Sequence, residues 1–220
     1  MTARIAVVDY GMGNLRSVAK ALEHVAPGAH VEVTADAAVI AAADRVVFPG
    51  QGAMPDAMRE LTSRGLVPVL QDAIAAKPFL GICLGLQALF EHSEEGDCPG
   101  LGILPGRVRR FAPPAGAHSG GERLKVPHMG WNTVTQTPQA GGAHALWDGI
   151  ADDSRFYFVH SYYVEPADSA LAAGTSAYPR RFCCAVAQGS LFATQFHPEK
   201  SQAAGLTLLR NFVNWDGRSV

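Results

Sequence analysis

The chain has 220 residues, a formal net charge of −2 and 48% hydrophobic residues. That length gives ample core for one α/β domain spanning 1–220, and the near-neutral charge without a basic run argues against nucleic acid or an anionic membrane as partner. The opening apolar run is too short for a signal peptide, and no run approaches membrane-spanning length. Cys83, Cys98, Cys183 and Cys184 show neither paired metal-ligand spacing nor a disulfide framework, which predicts a reducing, cytoplasmic location.

Ile5-Ala6-Val7-Val8, closed by Asp9, predicts a strand buried on both faces of a parallel sheet. Residues 10–14 form a turn. Its Gly11 and Gly13 do not continue into a dinucleotide fingerprint, because Arg16 stands at the next required position. Leu15, Val18, Ala19, Leu22 and Val25 recur at helical spacing, and Pro27-Gly28 ends that helix. A short strand at 31–33, a weak helix at 37–43 and a buried strand at 46–48 complete a βαβαβ order. The predicted fold is α/β, a mostly parallel central sheet flanked by helices, with antiparallel strands in the C-terminal half.

Pro49-Gly50-Gln51-Gly52 follows a parallel strand at its carboxyl edge, where such sheets bind ligands. Two glycines let this backbone turn over and approach a ligand closely. A helix begins near Pro55. The next strand carries Gly81-Ile82-Cys83-Leu84-Gly85, an apolar run that turns into a helix through a cysteine. A nucleophile held in a strained strand-to-helix turn needs small neighbours two residues away on each side. At a helix start the thiolate is favoured, and the N–H of Leu84 can meet a developing oxyanion. Gln87, four residues on, shares that face. Gly50-Gln51-Gly52 is the natural source of a second oxyanion N–H.

Residues 91–100 are polar and turn-rich, 106–111 read as a strand, and 112–122 as a flexible surface loop. Arg109, Arg110, Arg123 and Lys125 read as a solvated edge. Residues 155–163 form an aromatic, strongly β-prone strand ending in His160-Ser161-Tyr162. Strands at 171–177, 184–188 and 191–196 follow, and a final helix spans about 203–215. Before that helix stands His197-Pro198-Glu199. In extended backbone the imidazole and the carboxylate share a face. His197 can take the proton of a cysteine nucleophile and deliver it to a leaving amine, while Glu199 fixes its tautomer.

Gly81-x-Cys83-x-Gly85-x-Gln87, the Pro49-Gly50-x-Gly52 loop and His197-Pro198-Glu199 together resemble the signature of the class I (triad) glutamine amidotransferases, over the whole chain and in family order. Asp9-Tyr10-Gly11-Met12-Gly13-Asn14-Leu15, Leu86-Gln87, the segment 127–132 and His160-Ser161-Tyr162 resemble the branch that serves a cyclase in histidine biosynthesis. The resemblance implies hydrolysis of glutamine to glutamate and ammonia. It makes Cys83, His197 and Glu199 the triad, and the backbone of Gln51 and Leu84 the oxyanion site. Gly50, Gly52, Gln87, Ser161 and Tyr162 become the glutamine contacts. It implies no metal or organic cofactor, and as partner a TIM-barrel cyclase subunit met at Asn14, Met129, Trp131 and Lys200. Two features depart from the family: Gln51 stands where an aliphatic residue is usual, and the loop at 112–122 is long. An anthranilate-forming partner, or a partner-free hydrolase of γ-glutamyl bonds, stays open on the sequence.

Overall fold

The computed structural model describes residues 2–112, 125–139 and 141–218. In chain order the elements are β1 (Arg4–Val8), α1 (Leu15–Val25), β2 (His30–Thr34), α2 (Ala37–Ala42), β3 (Arg45–Gly50), α3 (Met54–Ser63), α4 (Leu66–Ala76), β4 (Phe79–Cys83) and α5 (Leu84–Gln87). Then come β5 (Phe90–Ser93), β6 (Cys98–Pro99), β7 (Leu104–Arg110), β8 (His128–Gln136), β9 (Ser154–His160) and β10 (Tyr162–Pro166). The chain closes with β11 (Ala172–Ala177), β12 (Arg181–Gln188), β13 (Leu191–Thr194) and α6 (Gln202–Asn214).

The strands run in the order β2-β1-β3-β4-β13-β12-β10-β7-β5-β6. The first five are parallel throughout, and β12, β10 and β7 continue the sheet antiparallel. Alternation along the buried parallel strands sends side chains to both faces. Phe48 and Phe79 pack with Ile40, Leu61 and Leu70 of α2, α3 and α4 on one side. Val7, Val47 and Leu80 pack with Val18 and Leu22 of α1 and with Leu208 and Phe212 of α6 on the other. No helix among the described residues is long and apolar enough to cross a membrane.

The strand order sets the site. β4 lies between β3 and β13, with Gly50 opposite Cys83 and Thr194 opposite Ile82. The carboxyl ends of three neighbouring parallel strands therefore bring the Gly50 loop, Cys83 and the segment leading to His197 together, although 114 residues of chain (197 minus 83) separate the last two.

Several expectations change. The helix after Cys83 is a single turn, and Phe90 begins a strand that pairs parallel with β7. Cys83 therefore gains local N–H groups rather than the dipole of a long helix. The helix α4 has no counterpart in the sequence-based reading, although it carries Pro68. That proline stands in the first turn, where its missing N–H has no intrahelical acceptor to lose. The aromatic strand breaks at Ser161 into β9 and β10, which pair with different partners. Pro198–Lys200 is a 3₁₀ turn rather than extended chain. Arg109 sits between Glu94 and Glu165 at 2.8 and 3.0 Å, in keeping with a solvated edge. Apart from Ala112, the loop expected at 112–122 lies outside the described residues.

Candidate active site

Cys83 ends β4 with φ +57° and ψ −109°, a left-handed conformation that a side-chain-bearing residue adopts only when its surroundings impose it. Close packing imposes it here. A Cβ on Gly85 would strike the carbonyl oxygen of Phe48, and one on Gly81 would lie 2.9 Å from the Cβ of Ala193. Small residues at these two points let β3, β4, α5 and β13 converge around Cys83, which is 7% exposed.

His197 is buried and anchored through its backbone. Its N–H donates to Tyr157 O at 2.9 Å, and its carbonyl accepts from Ser201 Oγ at 2.6 Å. Ser201 Oγ also accepts the Tyr157 N–H at 3.0 Å, so β9 and the start of α6 clamp the residue from two sides. His197 Nδ1 donates to Glu199 Oε1 at 2.9 Å, which leaves Nε2 as the ring atom facing Cys83. That Nε2 is buried. Burial opposes charge on the ring. Attraction to the Cys83 thiolate, hydrogen bonding to that sulfur and the Glu199 carboxylate outweigh it, and together they lift the imidazole to about 10. A ring so held is poised as imidazolium, ready to donate. Asn14 Nδ2 donates to the same Glu199 Oε1 at 3.3 Å.

A cavity of about 470 Å³ opens above the thiol. Gln51, Gly52, Leu84, Gln87, Ser161, Tyr162 and Lys200 line it together with Cys83 and His197. Gly50 does not line the cavity. It supports the wall from below, where a Cβ would meet the Tyr10 hydroxyl and come within 2.7 Å of Leu84 Cβ. Both N–H groups of the Gln87 side chain are engaged, with Tyr162 O at 3.1 Å and Gln195 Oε1 at 3.0 Å. Only its oxygen remains for a ligand.

Met129 and Trp131 point to one side of β8 and are 63% and 38% exposed. The Trp131 ring meets Tyr157 edge-on at 6.2 Å, and Lys200 Nζ lies 5.9 Å from the Tyr157 ring centre. Tyr157 and Lys200 both line the cavity, so this apolar patch borders its mouth.

Glu95, Gln195 and Ser201 went unread in the sequence. Gln195 had a signal, since it stands two residues before His197 at the end of a strand. Glu95 reaches the cavity only because the turn after β5 folds back toward α3, where its Oε2 accepts the Met54 N–H at 2.9 Å. No local pattern encodes that.

Three other buried histidines behave oppositely to His197. Burial pushes His128 and His144 down to about 4 and His160 to about 3. All three are neutral in the folded chain and regain an ordinary value near 6.5 when it unfolds. For these three groups unfolding therefore takes up protons, so their contribution to stability is full above about pH 6.5 and is lost as pH falls toward 4. Thermal melts should drop steadily as pH falls from 6.5 toward 4, and His144→Gln should make that drop shallower. An acid-independent melting temperature down to pH 4.5 would contradict the burial account.

The model of class-I glutamine amidotransferases matches residues 6–215, and the chain belongs to that family. The imidazole glycerol phosphate synthase subunit HisH of Aromatoleum aromaticum is 64% identical over 211 residues, 96% of this chain and 98% of that protein. The protein of the same name from Nitrosospira multiformis is 65% identical over 211 residues, 96% of this chain and 97% of that one. Among solved structures, PurLQS from Thermotoga maritima superposes with a TM-score of 0.68 at 18% identity, covering 97% of this chain and 99% of the other. That likeness supports the fold.

Proposed function

We propose that this chain is the glutaminase subunit of an imidazole glycerol phosphate synthase. It hydrolyses glutamine to glutamate and ammonia and hands the ammonia to a TIM-barrel cyclase subunit in histidine biosynthesis. The observation that carries this reading is the buried Cys83–His197–Glu199 set at the floor of a cavity bordered by an exposed apolar patch. The name shared by the 64–65% identical relatives supports the cyclase branch over an anthranilate-forming one.

The geometry suits the chemistry step by step. The Cys83 sulfur attacks the side-chain amide carbon of glutamine, and the carbonyl π pair moves onto oxygen. The N–H groups of Leu84 and Gln51 meet that oxyanion. His197 Nε2 gives its proton to the amide nitrogen, the C–N bond breaks, and ammonia leaves a γ-glutamyl thioester. Water then loses a proton to His197 and attacks the thioester, and the C–S bond breaks to release glutamate and restore the thiolate. Glu199 keeps Nδ1 protonated throughout. The Gln87 oxygen, the Ser161–Tyr162 wall and the Glu95 carboxylate suit the amino-acid end of the substrate, with Glu95 opposite its ammonium.

Ammonia formed before an acceptor is bound is wasted, so turnover should depend on the cyclase. The Gly50-Gln51-Gly52 loop is the switch in this reading. Gly52 has φ +96°, and the flanking glycines let the Gln51 peptide rotate at little steric cost. An oxyanion donor turned away costs about 10²–10³ in turnover. Met129, Trp131, Asn14 and Lys200 lie where a partner could bias the loop, and it does so only by binding the active form more tightly. Glutamate production is measured for the chain alone, with cyclase, and with cyclase plus a substrate analogue of the cyclase. Rates should rise in that order, by about 10²–10³ in total. Equal rates in all three would contradict the reading and favour a partner-free hydrolase.

A further inference from the structure

A continuous chain of hydrogen bonds, buried where it nears the active site, reaches the thiol through Gln195 rather than His197. Asn132 Nδ2 lies 3.2 Å from His128 Nε2, and His128 Nδ1 lies 2.9 Å from His160 Nε2. His160 Nδ1 lies 2.7 Å from the carbonyl oxygen of Tyr162. Gln87 Nε2 reaches that oxygen at 3.1 Å and Gln195 Oε1 at 3.0 Å, and Gln195 Nε2 ends the chain 3.6 Å from Cys83 Sγ. Gln195 is 0% exposed, and its backbone N–H is held by Cys184 O at 2.8 Å.

The direction of every bond follows from one atom. The Tyr162 carbonyl can only accept, so His160 Nδ1 carries the proton and, in the neutral ring, Nε2 accepts. His128 must then donate from Nδ1 and accept from Asn132 at Nε2. The same carbonyl also fixes the Gln87 amide with nitrogen inward, and that nitrogen fixes Gln195 with its oxygen toward Gln87. The Gln195 N–H is left pointing at sulfur. A donor aimed at sulfur from a buried side chain favours thiolate over thiol.

We propose that Gln195 is a positioning residue for the nucleophile: its side-chain N–H donates to Cys83 Sγ and holds the thiolate on the attack line, with the amide orientation set by Gln87 and the Tyr162 carbonyl. This rests on Cys83 being the nucleophile. It also gives Gln87 a second task, since its N–H groups serve the enzyme and only its oxygen serves the substrate. The other charged and titratable groups around Cys83 are His197 with Glu199 behind it from the C-terminal segment, Tyr10 just after β1, and Glu95, Tyr157, His160, Tyr162 and Lys200, which line the cavity with it.

The test is the pH profile for alkylation of Cys83 by iodoacetamide, a small neutral probe, followed by mass spectrometry of the Cys83 peptide in the full chain. Gln195→Met keeps the shape and removes the donor. It should move the midpoint up by about one pH unit. With cyclase present it should lower kcat about tenfold and change the KM for glutamine little. Gln195→Glu keeps the acceptor for Gln87 and replaces the donor by an acceptor, so its midpoint should rise further. It decides the matter if the methionine variant does not fold. In the unaltered chain, the nitrogen-15 resonance of the Gln195 side-chain amide should follow the Cys83 titration, and this response should be lost in Cys83→Ala. Unmoved midpoints in folded variants, or an amide resonance indifferent to the thiol, would overturn the proposal. An active Cys83→Ala protein would instead remove the nucleophile on which it rests, and the two failures are distinguishable.

Discussion

Cys83→Ala should reduce glutamine hydrolysis by about 10⁴–10⁶ while leaving a folded chain that still binds its cyclase. The loss is large because no neighbouring group can take over the attack. Burial pushes the Cys183 thiol up to about 12 and the Cys184 thiol well above its ordinary value, so both stay protonated and inert. Cys98 does not line the cavity; its thiol donates to Glu95 O at 3.4 Å, and burial raises it too. Alanine at those three positions should therefore leave the chemistry nearly intact. Binding should survive Cys83→Ala because the thiol lies at the cavity floor, whereas Met129 and Trp131 stand outside it. Glutamate release and a partner titration on the same preparation check both halves. A wild-type rate in Cys83→Ala would remove the nucleophile assignment.

His197→Ala should cost about 10²–10⁴ in kcat, and Glu199→Gln clearly less. The alanine variant loses the group that donates to the leaving nitrogen and later activates water. The glutamine variant keeps most of the geometry. Its carbonyl can accept from His197 Nδ1, and its NH₂ can stand in place of Glu199 Oε2, which has no hydrogen-bond partner among the described residues. The tautomer survives, and only the negative charge that stabilises imidazolium is lost. The double variant should fall little below His197→Ala, since triad members act as a unit. Steady-state kinetics in the presence of cyclase give this ranking. An active His197→Ala beside a dead Glu199→Gln would mean the roles are reversed.

What the sequence made legible was short-range. Gly81 and Gly85 around Cys83 encode a turn that only small residues permit, and the Phe48 carbonyl and Ala193 explain why. The two-residue spacing of His197 and Glu199 encodes their contact, although a 3₁₀ turn and not extended chain delivers it. The continuous apolar runs from Ile5 to Val8 and at 46–48 encode strands buried on both faces. Less legible was whatever depends on distant parts of the chain meeting. Glu95 becomes a cavity residue through the fold of β5, β6 and α3. Gln195 becomes a sulfur donor only because β13 lies beside β4 and Gln87 fixes its amide. The pairing of His128 with His160 needs β8 and β9 in register, which the composition of the two segments does not specify. The one-turn length of α5 was hidden because Leu86-Gln87-Ala88-Leu89-Phe90 has helical character, and Phe90 instead finds a partner strand 14 residues away (104 minus 90).

The most direct measurement is the covalent one. The chain with its cyclase is mixed with glutamine, quenched in acid within the first turnover, digested and analysed by mass spectrometry. A γ-glutamyl adduct should appear on the peptide that holds Cys83, build up before steady state, and decay at the rate of glutamate release. In His197→Ala it should form far more slowly. Glutamate release at the normal rate with no adduct on Cys83, or with the adduct on another residue, would contradict the mechanism.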